Sequence, residues 1–222
     1  MKTTLIFLIT VLVGSCSVSK NKGSNPDAQK LNDLVVFPGV SIISTIKKKS
    51  DLVFDNNLSE TSRMLLDKHL KEIIPNNINT KVIELDTAAY RIVAMESLKM
   101  LDTARNGESI QYLHVPKKML DILDSLHYDF GVMAVQLGFT RTENNNANQQ
   151  FKNNLINFFS PYWINVQAIP YSSYMEIFIV DKKAKTIVFY GKRIMADKEP
   201  TDEYVIKTQL RDLINSYFLN IN

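Results

Sequence analysis

Cys16 is the only cysteine in the 222-residue chain. No intramolecular disulfide is open to it, so the chemistry it offers is that of a single thiol. Its surroundings narrow that chemistry. Met1-Lys2-Thr3-Thr4 carries one positive side chain, Leu5 to Val13 is almost wholly apolar, and Gly14-Ser15 puts narrow side chains just before the sulfur. The apolar run is shorter than the roughly 20 residues a bilayer core demands, and it has the length of the apolar region of an export signal. The other reactive residue types form no constellation. His69, His114 and His127 include no pair at metal-ligand spacing. The helical pattern places His69 on a solvent side, and His127 at a helix C-terminus where an imidazole suits the negative end of the dipole. There is no Gly-x-Ser-x-Gly and no glycine-rich loop ahead of a lysine. Asp121 and Asp124 share a helix with Lys117 and Lys118, as on a solvated face, and Asp129 stands before a strand as a turn cap. These patterns assign no catalytic residue, metal ligand or cofactor.

Val13-Gly14-Ser15-Cys16 resembles the lipobox of bacterial lipoproteins. That resemblance implies a diacylglycerol on the Cys16 thiol, cleavage just before Cys16, and a further fatty acid, such as palmitate, on the new amine. One acyl chain binds a membrane marginally, at about 0.8 kcal/mol per buried CH₂, whereas two or three hold it. The expected organisation is a signal peptide over 1–15, a lipidated flexible tether over 16–32 and a single α/β domain over 33–222. Ser17 to Pro26 is polar with glycine and proline, and has almost nothing to bury. Among lipoproteins an Asp after the cysteine often marks inner-membrane retention. Ser17 in its place implies the outer membrane, facing the periplasm.

Composition bounds the rest. A hydrophobic content of 45% supports a sizeable core, and a net charge of +3 is not the concentrated basic face of a nucleic-acid binder. Lys47-Lys48-Lys49 and Lys182-Lys183-Ala184-Lys185 are local clusters at expected turns. Seven glycines in the whole chain argue against a phosphate-cradling loop.

The elements follow from period and punctuation. Leu34–Phe37 and Val40–Ser44 read as a first strand interrupted or ended at Pro38-Gly39. Ser59 caps a helix to Ile74 with Leu66, Leu70, Ile73 and Ile74 on one face. Lys81–Leu85 is a short strand. Asp86 or Thr87 caps a helix to Arg105, ended by Asn106-Gly107. Val115–Leu126 is a third helix with Pro116 in its first turn. Tyr128–Phe139 is nearly continuous in apolar character, as in a central strand covered on both faces. Thr140–Gln150 is polar and reads as a mobile loop, and Phe151–Phe159 offers a helix before Pro161. Tyr174–Val180 and Thr186–Arg193 form a hairpin, and a last helix starts near Asp202. The expectation is an α/β sandwich: a mixed β-sheet with helices packed on it, and a C-terminal β-hairpin followed by a final helix.

This order behind a lipobox resembles a group of envelope lipoproteins. The group includes the curli secretion channel lipoprotein, the Pel exopolysaccharide lipoprotein and the lipoprotein activators of peptidoglycan synthases. The resemblance rests on the strand ending at Pro38, the helix Ser59–Ile74, the stretch Leu126–Ala134 and the hairpin Met175–Asp181 with Ile187–Tyr190. It implies a non-enzymatic protein of the cell envelope that scaffolds, assembles as a homo-oligomer or activates an envelope protein partner. Rival readings are a periplasmic small-molecule or glycan-binding lipoprotein and a hydrolase with an unrecognised site. Phe158, Phe159, Tyr162, Trp163, Tyr171 and Tyr174 crowd one region, and aromatics of this kind serve both cores and interfaces. Tyr162 and Trp163 are the expected partner-binding or self-association residues.

Overall fold

The computed structural model describes residues 18–22, 31–48, 51–106, 109, 112–150 and 169–218. Cys16, Tyr162, Trp163 and the expected helix 151–159 lie outside the described residues. Eight strands form one mixed sheet: β1 (Val18–Lys22), β2 (Asp33–Val36), β3 (Val40–Ile46), β4 (Leu52–Phe54), β5 (Asn79–Val82), β6 (Phe130–Arg141), β7 (Tyr171–Asp181) and β8 (Thr186–Ala196). The helices are α1 (Asn56–Ile73), α2 (Thr87–Arg105), α3 (Lys117–Leu126), α4 over 143–150, and α5 (Glu203–Phe218). The main path through the sheet runs β1-β8-β7-β6-β2-β5, with β3 beside β6 and β4 beside β3. The expected mixed sheet, covering helices, C-terminal hairpin and final helix are all present.

β6 is the axis. It pairs parallel with β2 and β3 on one side and antiparallel with β7 on the other. Its residues alternate between two cores, because successive side chains of a strand point to opposite faces. Val132 and Ala134 join Met175, Ile177 and Ile179 under α1 and α5, where Leu66, Leu70, Leu210 and Leu213 seat. Met133 and Val135 join Phe178 and Val180 under α2 and α3, where Val93, Leu101, Met119 and Leu123 seat. Burial on both faces explains the unbroken apolar run, and the domain has three layers.

The proline interrupts the first strand without ending it. β2 leaves its pairing with β6 at Val36↔Val132 and β3 resumes at Val40↔Val135. Four steps on one strand against three on the other make Phe37-Pro38-Gly39 a one-residue bulge. Gly39 suits the close approach there. A Cβ would fall 2.2 Å from Leu66 Cδ2, so α1 can lie on the strand only where no side chain intervenes.

Several boundaries differ from the sequence expectation. Asp55, not Ser59, caps α1, accepting from Leu58 N at 3.1 Å. Ser59 is buried inside the helix and its hydroxyl accepts from Ile43 N at 2.9 Å. The strand expected at Lys81–Leu85 is Asn79–Val82. Thr140 and Arg141 extend β6, and 143–150 is helical where a mobile polar loop was expected. Val18–Lys22, expected within the tether, pairs with β8 from Val18↔Arg193 to Lys22↔Phe189. Pairing at an edge uses backbone groups alone, so a segment with nothing to bury can still form a strand. Asp86 caps α2 as expected, accepting from Ala89 N at 2.8 Å.

Candidate functional site

β2 and β5 are parallel neighbours, but the chain leaves them towards opposite faces. After β2 it continues through β3 and β4 to α1 on one face, and after β5 it enters α2 on the other. A crevice of about 530 Å³ opens between the two helices, past the end of β5 and beside the Phe37-Pro38-Gly39 bulge. Glu60, Arg63 and Asp67 of α1 form one wall, Thr87 and Tyr90 of α2 the other, and Pro38, Ile83 and Leu85 supply apolar surface between.

The walls are tied to the bulge. β5 stops opposite Val36 and β4 reaches no further back than Ser44, so among the described residues Gly39 has no strand on its outer side. Side chains replace it: Gly39 N donates to Asp67 Oδ1 at 2.6 Å, and Tyr90 Oη donates to Gly39 O at 3.0 Å. Arg63 donates to Asp67 Oδ2 at 2.8 Å and to Glu60 Oε1 at 2.6 Å. The hydrogen bond from Arg63 holds the Glu60 carboxyl below its ordinary range. Burial pushes Asp67 up against the opposing pull of Gly39 N and Arg63, and burial likewise pushes up the Tyr90 hydroxyl. Glu84 also lines the crevice and is exposed, with no ion-pair partner among the described residues.

A second feature lies further along the same edge. β4 pairs with Ser44–Ile46 of β3 and with no other strand among the described residues. Its three residues are all large, apolar and exposed, Leu52 at 62%, Val53 at 47% and Phe54 at 57%. Leu52 and Phe54 share one face and Val53 takes the other, so β4 is apolar on both faces, and among the described residues none pairs along its outer edge.

A third cluster is structural. Glu176, in the middle of β7, is fully buried, and its carboxylate accepts from Tyr174 Oη at 2.8 Å, Tyr190 Oη at 2.6 Å and Arg105 Nε at 3.1 Å. Arg105 Nη2 closes a second arm on the same carboxylate. Burial, with the Glu176 charge beside it, pushes the Tyr174 hydroxyl up to about 12 and that of Tyr190 further. Every arm of this carboxylate is engaged by the protein itself, so the cluster locks the end of α2 to the sheet. The sequence carries a signal for it, a charged residue inside the apolar run Met175–Val180, which belongs to no known motif.

The sequence-selected residues fall as follows. The position expected for His69 was wrong: it is buried, because α5 packs on that side of α1. Its Nδ1 lies 2.8 Å from Glu72 Oε2 and its Nε2 2.8 Å from Glu203 Oε1. His127 ends α3 in the left-handed conformation at φ 58°. Asp121 pairs with Lys117, Asp124 with Lys182 and Asp129 with Lys183, all at the surface. Among the described residues no three His, Cys, Asp or Glu side chains could hold a metal ion. No helix among them is long and apolar enough to cross a membrane.

No family model matches the chain, and no curated protein matches it. Solved structures with a similar course include a PelC dodecamer from Paraburkholderia phytofirmans. It is 6% identical at a TM-score of 0.40, over 90% of this chain and 96% of that one. Lipoprotein GNA1162 from Neisseria meningitidis is 8% identical at 0.34, over 83% and 95%. The LpoB C-terminal domain from Salmonella enterica is 9% identical at 0.29, over 74% and 83%. Scores of this size mark a distant likeness, and the functional reading rests on the chain's own residues.

Proposed function

We propose that this chain is a non-enzymatic lipoprotein of the bacterial cell envelope, anchored through Cys16, that works by binding another protein chain. The anchor follows from the export signal and the lipobox-like Val13–Cys16, and Ser17 favours the outer membrane, facing the periplasm. The observation that carries the binding role is β4. Exposed apolar edge strands invite pairing, and proteins usually blunt them with charge or proline. Leu52-Val53-Phe54 has neither within it. An extended segment of a partner added there would gain main-chain hydrogen bonds and bury what is still open of the three side chains, each worth about 1–1.5 kcal/mol because about half of it is exposed. The partner is an envelope protein whose strand completes this edge, which suits assembly, scaffolding or partner activation. Tyr162 and Trp163 remain proposed contributors to the same association.

A photo-crosslinking residue at Val53 in intact envelopes tests the reading. One discrete adduct with a second protein is expected, and it should be lost with Phe54→Ser. No adduct above that from an exposed control position on α2 would sink the binding role, and an adduct with a second copy would replace the partner by self-association. For the anchor, Cys16→Ser should abolish labelled palmitate uptake and release the protein from membranes.

A further inference from the structure

We infer that the crevice between α1 and α2 binds an organic cation, an ammonium or guanidinium group carried on an apolar chain. This site is distinct from β4 and does not depend on what β4 binds.

Position comes first. In open α/β sheets ligands are taken at the carboxyl ends of strands where neighbouring connections leave to opposite faces. β5 ends at such a place, its chain leaving to α2 on one face, while beside it the β2–β3 strand runs on through its bulge under α1 on the other. At about 530 Å³ the crevice has the size of a small-ligand site, within the usual range of roughly 300–1,000 Å³.

The charge decides the ligand's sign. Glu60, Asp67 and Glu84 face the space, against the one guanidinium of Arg63. Arg63 is already clamped between Glu60 and Asp67, so it has little left for an anion, while Glu84 stands unpaired among the described residues. The start of α2 would ordinarily draw an anion, but the Asp86 carboxylate already occupies it, on Ala89 N at 2.8 Å. Asp67 is held in an environment that disfavours its charge, through burial, and a cation arriving beside it would relieve that.

The apolar surface decides the rest. Pro38, Ile83 and Leu85 are half-buried and lie among these carboxylates. A bare metal ion would have no use for that surface, and among the described residues no three ligating side chains converge on one point. An alkyl chain ending in a cation fits both parts. Such a group is found on a free amine and on the lysine or arginine side chain of a peptide.

The test is an amide chemical-shift titration of the full mature chain carrying Cys16→Ser. The probes are hexylammonium, hexanoate and the peptide acetyl-Ala-Ala-Lys-Ala-Ala-amide. Saturable shifts at Ile83, Glu84, Leu85 and Tyr90 are expected with the amine or the peptide and not with hexanoate. Glu84→Gln should weaken binding about fivefold at low salt, the worth of one exposed charge at close range, and Glu60→Gln serves as the second variant. Tighter binding of the peptide identifies a basic peptide side chain as the ligand, and equal or tighter binding of hexylammonium identifies a small amine. The inference fails if neither cation saturates, if hexanoate binds as tightly, or if both variants bind like the parent. Because β4 is probed by crosslinking at Val53, either result can fail alone.

Discussion

Arg105 and Glu176 form an unequal pair, and the inequality predicts which substitution costs more. Glu176 is fully buried, whereas the Arg105 side chain is 26% exposed. Breaking a buried ion pair by removing one partner costs about 3–5 kcal/mol, because the other charge is left stranded. In Glu176→Gln the stranded group is the guanidinium, which can turn part of the way to water. The glutamine oxygen still serves Tyr174 and Tyr190, and its amide faces Arg105 donor to donor. The cost belongs at the lower end, about 3 kcal/mol. In Arg105→Gln the stranded group is the carboxylate, which has no route to water and keeps only the two tyrosine hydroxyls, so about 5 kcal/mol is expected. Urea unfolding followed by circular dichroism measures both. With a slope of about 2–3 kcal/mol/M, the midpoint should fall by roughly 1 M for Glu176→Gln and roughly 2 M for Arg105→Gln. The double variant Arg105→Met with Glu176→Met should lie closer to the parent than Arg105→Gln does. A loss below about 1 kcal/mol for Arg105→Gln, or a larger loss for Glu176→Gln, would refute the reasoning.

Other perturbations probe the frame around the crevice. Gly39→Ala places a methyl 2.2 Å from Leu66 Cδ2, so α1 or Leu66 must shift; a loss of about 1–3 kcal/mol in urea unfolding is expected. Asp55→Ala removes the α1 cap together with the Thr45 hydroxyl's acceptor, and should cost about 1–2 kcal/mol. Stability should fall as acid is added. Asp55, lowered mainly by its hydrogen bond from Leu58 N, and Glu60, lowered mainly by Arg63, contribute fully above their ordinary values of 3.8 and 4.5, and lose that contribution as pH drops through their folded values. Asp67 has the opposite sign, since burial raises it, and its contribution is full at low pH and fades as pH rises through the raised value. Melting temperatures from pH 7 to 3 should therefore fall less for Asp55→Asn than for the parent and more for Asp67→Asn.

What the sequence disclosed depended on whether a residue's role was local. The two-sided apolar run of β6, the β7–β8 hairpin and the helical faces of α2, α3 and α5 were legible, because burial writes itself into periodicity. β1 and β4 were not. Val18–Lys22 is mostly polar in sequence and pairs with β8, far along the chain, and Leu52–Phe54 is too short and too exposed to show a period although its partner β3 lies close by. Ser59 looked like a cap because serine before an apolar stripe usually is one, yet Asp55 begins the helix a turn earlier and Ser59 is spent on Ile43. His69 looked exposed because α1 alone leaves it so; only α5, more than a hundred residues on, covers it. The crevice was invisible for a different reason. It arises where β5 ends beside a bulge in the neighbouring strand, with α1 and α2 on opposite faces, which no local pattern encodes.

β2 and β5 are parallel neighbours, but β2 meets its other partner only when β6 arrives, with Val36 set beside Val132. The amino-terminal third therefore cannot complete its sheet, nor α1 bury Leu66 and Leu70, before the chain through β7 is available to form the core. The rewarding contacts are non-local, and closing such long loops comes before any gain. Folding should be slow for a domain of this size, and a chain cut short before Val180 should form no stable fragment. For the exported lipoprotein proposed above that delay would be an advantage: a chain that cannot fold until its late strands appear stays threadable while it crosses the membrane.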